Sequence, residues 1–510
     1  MKRIFGSAAT ASLAAALLTA IGQAAAQSQP AKPTKISVIP IDPAASNVLM
    51  ASDADLDGSL KEQWPGQAAR FWIWGWTSNA DSFTWAVHVA KTDDYHVSLI
   101  AVNCGKVLID CKLQSPAAVP IEVSNESGTV DFAIPYRKAS MTNEWMRYEL
   151  PGTLHLAAGD SRITMRARAP AGEVFDLALY SLELTTPEAK KALSAQASKL
   201  RSSTRWMQDA KYGLMFTWTA ATFPQHGPNK PYAEQVRDFD VNRFANMVAG
   251  TGAGFVVFAT SWSMYYFPGP IASWERLVPG HTTSRDLIGE LADALNARGI
   301  KLMIYYHAGR ADKDFWTSDS IRKTSKDAYF KEWEDQIREI GLRYGDKLAG
   351  FWFDDGFTFY YPLQAPWQAM TKAAKAGNPA RLVGYNSWIF PKATDFQDFA
   401  CGEGAFADRL EDNDSELPDS GSGVFIGGPQ KGLQATLTTT NEPCNWGNTA
   451  QDTPIPAPGL KTDELIAYLQ KAEARKLVPV INFEVYEDGT ASPQTIEEFK
   501  TIKAAIKPSK

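Results

Sequence analysis

The 510-residue sequence predicts two folded units of different class, an N-terminal antiparallel β-sandwich followed by a (β/α)8-like TIM barrel. Three observations predict it. From about residue 35 to 184 apolar and polar residues alternate at period two, and helical spacing is nearly absent. From Trp206 onward short apolar runs alternate with amphipathic helical stretches, the order of a parallel α/β sheet. One of those runs, Ala349-Gly-Phe-Trp-Phe-Asp-Asp-Gly356, stops abruptly on two carboxylates and a glycine. A buried strand ends this way when its C-terminal tip carries acids into a cleft.

Taken in order, residues 1–26 read as an export signal. Lys2 and Arg3 precede a small, apolar run from Ala11 to Ile21, and Ala24-Ala25-Ala26 fits a cleavage site. That run is too short to span a bilayer, and nothing later reaches about 18 uninterrupted apolar residues. The expectation is a soluble mature chain starting near Gln27, periplasmic or extracellular, with no lipid anchor because no Cys follows the Ala run.

Residues 27–34 form a polar lead-in. The sandwich, 35–184, is read from runs such as Phe83-Thr-Trp-Ala-Val-His-Val-Ala90, Arg162-Ile-Thr-Met-Arg-Ala-Arg168 and Phe175 to Leu184, separated by Gly, Asn, Asp and Pro turns. Trp72, Trp74 and Trp76 alternate along one face of a predicted strand, as a packed core or a ligand platform would; packing is the preferred reading. Residues 185–203 are expected to be a linker, partly helical.

The barrel is placed at 204–507. Its strands are expected at Gly213–Trp218, Gly254–Ala259, Lys301–Tyr306, Gly350–Asp354, Arg381–Tyr385 and Leu477–Asn482. Between the second and third, Leu287, Ile288, Leu291 and Leu295 recur on one helical face, with Thr283 as the expected cap and Gly299 as the stop. Phe330, Trp333, Ile337 and Ile340 repeat that spacing before the acid-tipped strand. The Gly-, Asp- and Thr-rich segment 404–446 is expected to form long loops over the barrel mouth.

Composition narrows the partners. The chain has a net charge of −6 and no Lys/Arg cluster, which disfavours nucleic acid. Its 16 Trp, 17 Tyr and 25 Phe supply flat faces with polar edges, suited to sugar rings and to plain packing alike. Four cysteines in an exported chain are compatible with disulfides: Cys104 with Cys111 locally, and Cys401 with Cys444 if the fold brings them together. With 6 His and no CxxC or HxxxH spacing, no metal site and no cofactor is expected.

In a barrel the C-terminal strand ends carry the site. Those positions are Thr217, Trp218, Trp262, Tyr306, His307, Asp354, Asp355, Asn386, Glu403 and Glu484. Paired carboxylates among aromatics and amides are what glycosidic cleavage needs: one attacks the anomeric carbon, the other protonates the leaving oxygen.

These residues resemble a known family. Trp352-Phe353-Asp354 is similar to the Trp-x-Asp strand end of the retaining α-L-fucosidases, glycoside hydrolase family 29. Asp398-Phe-Ala-Cys-Gly-Glu403 is similar to the family's Asp-Phe-x-x-x-Glu segment. Trp206-Met-Gln-Asp-Ala-Lys-Tyr-Gly-Leu-Met-Phe216, Thr251-Gly-Ala-Gly-Phe255, Val480-Ile-Asn482 and Asp488-Gly-Thr490 resemble its other markers in the same order. The resemblance implies Asp354 as nucleophile, Glu403 as acid/base, an oligo- or polysaccharide substrate, and a double displacement at a terminal sugar. Asp355 is the substitute if the register is off by one.

Three departures concern the sugar. Thr217 stands where the family has His, Trp262-Ser-Met-Tyr-Tyr266 replaces His-His-Asp-Gly-Phe, and Asn386-Ser-Trp388 lacks the arginine of Asn-x-Arg. Thr217, Trp218, Trp262, Tyr306, His307, Asp355, Asn386, Trp388 and Glu484 are therefore candidate substrate contacts in a pocket richer in stacking than in charge. Two alternatives remain: a glycosidase of the same superfamily acting on a sugar other than fucose, and a non-catalytic carbohydrate-binding protein with a degenerate barrel. The sandwich is itself a candidate carbohydrate-binding module.

Overall fold

The computed structural model describes residues 38–64, 71–103, 118–136, 145–262, 264–307, 326–403, 421–427, 430–443 and 445–506. The export signal, Cys104, Cys111 and Cys444 lie outside these residues. No helix among the described residues is long and apolar enough to cross a membrane.

The N-terminal period-two runs pair into two sheets. One contains, in order, Ile39–Ile41, Ser82–Val89, Gly159–Ala167, Val119–Asn125 and Gly128–Ile134, with Asp55–Asp57 also on Ser82–Val89. The other runs Met146–Glu149, Asp93–Asn103, Leu177–Thr185, Ile73–Trp76 and Lys61–Glu62, joined by Leu154–Leu156 and Ser46–Met50. Pairing is antiparallel except where Ile39–Ile41 meets Ser82–Val89. Both sheets feed one apolar cluster that includes Leu49, Val87, Leu99, Ile121, Ile163 and Leu182. Alternation puts every second side chain there.

The tryptophan run does not follow that alternation. Trp72 and Trp74 pack on the cluster shared with the C-terminal region, whereas Trp76 enters the N-terminal cluster beside Ile73. Gly75, at φ +77°, and a register irregularity between Leu177 and Leu179 turn the strand here. A bulge of this kind re-aims the next side chain, so the three rings do not share one face.

Among the described residues, seven parallel strands form the C-terminal sheet: β1 (Gly213–Phe216), β2 (Phe255–Ala259), β3 (Lys301–Tyr306), β4 (Leu348–Phe353), β5 (Leu382–Tyr385), β6 (Thr436–Thr440) and β7 (Val478–Phe483). Their order is β5-β4-β3-β2-β1-β7-β6. β3 has the expected bounds, and the other expected strands shift by one to two residues at their ends. β6 corrects the expectation of loops throughout 404–446. Its Thr-rich sequence, Thr436-Leu-Thr-Thr-Thr440, reads as polar, yet Thr436 and Thr438 are buried and the strand pairs with β7. β-branched threonine suits a strand whatever its polarity. Isolated parallel bridges join Asn386 to Cys401, Phe399 to Gln434 and Glu403 to Thr438, so residues 399–403 lie between the ends of β5 and β6.

Helices cover one face of this sheet. Leu287, Ile288, Leu291 and Leu295 are buried as their spacing predicts, as are Phe330, Trp333, Ile337 and Ile340. The cap is corrected: helix Leu287–Asn296 starts at Asp286, whose carboxylate accepts from the Gly289 N–H at 3.0 Å. Thr283 lies one turn too early and donates to the Arg285 carbonyl instead. The reading of 185–203 as a linker is refined by a 14-residue helix, Pro187–Leu200, capped by Thr186.

Candidate active site

The two faces of the parallel sheet sort the strand-end residues. Met303 and Tyr305 of β3, Trp352 of β4, and Phe399 and Cys401 belong to one cluster; Tyr306, Phe353 and Phe216 belong to the cluster under the helices. The period of two then sends Asp354, one residue past β4, to the same side as Trp352 and Tyr305. Asp354 keeps the ladder through its N–H to the Tyr306 carbonyl, 2.9 Å, and its side chain is 17% exposed.

Asp354 is held by three donors. The Tyr305 hydroxyl donates to Oδ2 at 2.5 Å, and the Asp355 N–H and Asn386 Nδ2 donate to Oδ1 at 2.8 and 2.9 Å. The same Asn386 Nδ2 donates to Glu403 Oε1 at 2.7 Å. One amide group therefore bridges the two carboxylates. Its other end is fixed as well, because Oδ1 accepts the Trp388 N–H at 2.9 Å. Burial first, and then the negative charge of Asp354, hold the Tyr305 phenol well above its ordinary pKa, so it stays a donor.

Glu403 reaches this point because Asp398 anchors the segment leading to it. The buried Asp398 carboxylate accepts from Lys375 Nζ at 2.8 Å and from the N–H groups of Val383 and Ser202 at 2.9 and 2.7 Å. The chain then advances in register with β5 and β6 as far as Glu403.

Asp355 has a different environment. It is buried in the left-handed conformation, φ +61°, at the start of a π-helical turn, Gly356–Tyr360. Thr358 Oγ1 donates to its Oδ1 at 2.9 Å, and His307 Nε2 lies 3.1 Å from its Oδ2. Asp355 and His307 thus form a buried pair beside Asp354, from which His307 Nε2 is 4.0 Å away. His307, Asp354 and Asp355 each place one ligand atom within 4.8 Å of the others, so among the described residues these three could hold a cation.

The remaining candidates fall into two groups. On the same side of the sheet, Thr217 Oγ1 donates to Asn482 Oδ1 at 3.1 Å, and Asn482 Nδ2 donates to the Trp446 carbonyl at 2.8 Å. Trp262 and Trp446 pack against the inner cluster. Glu484 is buried, and its N–H donates to Glu442 Oε2 at 3.1 Å. Burial, and then the Glu442 charge, push the Glu484 carboxyl up to about 7.

Two candidates face the wrong way for substrate. Trp218 is fully buried, its Nε1 donating to the Glu487 carbonyl, among Tyr232, Phe239 and Phe258. Tyr306 is fully buried too, its hydroxyl 2.7 Å from that of Tyr265. Both are one residue out of phase with the inner face, so they pack helices instead. Tyr305, which sequence reasoning passed over, was findable by counting back by two from His307. Asn482, the last residue of the Val480-Ile-Asn482 motif, is the acceptor that holds Thr217. Trp388, for its part, packs its ring on Trp72 at 6.3 Å.

Residues 228–417, which contain Asp354, Asn386 and Glu403, match the α-L-fucosidase family model. The resemblance read from the sequence is therefore found independently, and the family is one of glycosidases. Similar solved structures include an α-L-fucosidase of glycoside hydrolase family 29 from Bacteroides thetaiotaomicron. It is 18% identical, over 60% of this chain and 74% of that one, with a TM-score of 0.41. Another is α-L-fucosidase AlfC from Lactobacillus casei with its α-L-fucose product, 20% identical over 59% of this chain and 97% of that one, TM-score 0.41. A search of curated protein sequences found no match.

Proposed function

We propose that this chain is an exported, retaining, α-L-fucosidase-like glycosidase that removes a terminal sugar from a glycan. The observation that carries the reading is the single Asn386 amide bonded to both Asp354 and Glu403. Sharing one donor keeps the two carboxyl groups close to each other, which favours the roughly 5–5.5 Å spacing of retaining enzymes over the roughly 6.5–9.5 Å of inverting ones.

In the first step an Asp354 oxygen bonds to the anomeric carbon as the glycosidic C–O bond breaks, and Glu403 gives its proton to the leaving oxygen. In the second, Glu403 takes a proton from water, whose oxygen displaces Asp354 and releases the sugar. Tyr305 and the Asp355 N–H orient the nucleophile throughout.

Two architectural readings accompany this. The bridges around residues 399–403 support closure of the seven strands into an eight-membered (β/α)8 barrel spanning 204–507. The shared apolar cluster of the two N-terminal sheets supports a sandwich over 35–184. Export rests on the Lys2-Arg3 start, apolar run and Ala24-Ala25-Ala26 of the sequence, and implies a periplasmic or extracellular location.

The sugar is the least constrained part, because Thr217, Trp262 and Trp388 stand where the family carries charged donors. A panel of 4-nitrophenyl α-L-fucoside, α-galactoside, α-L-arabinoside and α-L-rhamnoside tests the reading. Hydrolysis of the fucoside fixes the family's own activity, and hydrolysis of another member alone moves the substrate. Binding of the panel without any turnover would overturn the enzyme reading in favour of a carbohydrate-binding protein.

A further inference from the structure

We propose that the N-terminal region is a positioning element of the active site rather than an appended module. Its aromatic face (Trp72, Trp145 and Tyr180) holds the turn in which Trp388 fixes the Asn386 amide between Asp354 and Glu403. The inference rests on the glycosidase reading above.

Trp388 has φ +48°, a conformation that a bulky residue adopts only where its surroundings impose it. In that conformation its N–H reaches Asn386 Oδ1 at 2.9 Å, which turns Nδ2 toward both carboxylates. What imposes it comes from the N-terminal region. The Trp388 ring lies 6.3 Å from Trp72 and 6.2 Å from Phe390. Phe390 in turn packs on Tyr180 at 4.3 Å, on Trp145 at 5.2 Å, and face to face on Phe357 at 4.8 Å.

The other carboxylate-bearing loop is seated on the same strand. The Tyr180 hydroxyl donates to the Phe357 carbonyl at 2.6 Å, inside the π-helical turn that follows Asp355. The Ser181 and Tyr361 hydroxyls are 2.9 Å apart, and the Glu183 carboxylate binds both Arg147 and the Tyr361 hydroxyl. The chain leaving β4 after Asp354 and the chain leaving β5 after Asn386 therefore both rest on Leu177–Thr185 and its neighbours. Trp72, Trp145 and Tyr180 are almost fully buried in this contact, so these rings are not a free platform for glycan.

The test is a mutant cycle in the full chain, using the aryl glycoside that the wild type hydrolyses. Assays run well below the unfolding midpoint of every variant. Trp72→Ala is expected to lower kcat by about 10-fold or more with KM within about 2-fold, and Trp72→Phe to recover most of the loss. Residues acting through one network give non-additive losses, so Trp72→Ala/Asn386→Ala should be no slower than Asn386→Ala alone. Where Trp72→Ala does not fold, Trp72→Leu carries the same comparison. Unchanged kcat, or losses that multiply in the double variant, would overturn the positioning role. Asp354→Ala is the control that separates the two claims: full activity there would overturn the glycosidase reading itself, whereas loss there with undiminished Trp72 variants overturns only this inference.

Discussion

The Tyr305 hydroxyl donates to Asp354 Oδ2 at 2.5 Å, from the neighbouring parallel strand and from the inner face of the sheet. Tyr305 sits on that face because it is two residues before His307 and two after Met303. The contact aims the candidate nucleophile, and burial keeps the phenol protonated.

Tyr305→Phe removes this bond while keeping the ring that stacks on Trp352 at 5.1 Å. A hydrogen bond to a charged group is worth roughly 1.5–3 kcal/mol, so kcat is expected to fall about 10- to 100-fold with little change in KM. The Tyr305 pKa lies well above the ordinary value of 10.0, so the phenol stays a donor and the ratio of wild-type to variant rates should stay constant from pH 7 to 9. Steady-state kinetics across that range check it; a ratio that collapses toward one as pH rises to 9 would contradict the donor role.

Glu403→Ala should lose the acid but keep the nucleophile. Hydrolysis of a substrate with a poor leaving group is expected to drop about 100-fold or more, as general acid–base catalysis of about 10²–10⁴-fold is removed. Added azide should restore turnover of an activated aryl glycoside, since a small nucleophile needs no base. Product analysis by NMR, showing a glycosyl azide that keeps the anomeric configuration, checks it.

How far the sequence reached is clearest at single residues. The positions of Asp354 and Glu403 are local features of the sequence, a strand tip and the end of a six-residue segment anchored by Asp398. The phase of the neighbouring strand is not: choosing Tyr306 over Tyr305 requires knowing which face of the sheet is inside, and both residues are aromatic. Trp218 failed for the same reason beside Thr217. β6 escaped because Thr436-Leu-Thr-Thr-Thr440 carries no apolar alternation, only β-branching. The tryptophans 72, 74 and 76 were split between two cores by one positive-φ glycine, Gly75, which no periodicity reveals. The bridge made by Asn386 joins residues 32 and 17 positions away, a proximity created by the sheet.

Buried carboxylates around Glu484, the residue just past β7, give a pH signature. Glu484 has its pKa raised from an ordinary 4.5 to about 7, by burial and then by Glu442. The folded state therefore binds this proton more tightly than the unfolded chain. Its contribution to stability is fully present below about pH 4.5, is lost as pH rises to about 7, and stays lost above. Glu442 and Glu498 are shifted upward as well, both chiefly by burial, and act in the same direction. Glu484→Gln should flatten that fall and raise stability at pH 8 by about 1–3 kcal/mol. Urea unfolding at pH 5 and pH 8 measures it, and an equal loss in wild type and variant would contradict it.

The central claim is tested most directly by Asp354→Ala, assayed beside the wild type on the aryl glycosides, with folding verified by circular dichroism. The account predicts that the wild type turns over at least one of them and that Asp354→Ala loses about a thousandfold or more in kcat, the scale of losing a covalent nucleophile. Near-wild-type turnover by a folded Asp354→Ala would contradict it.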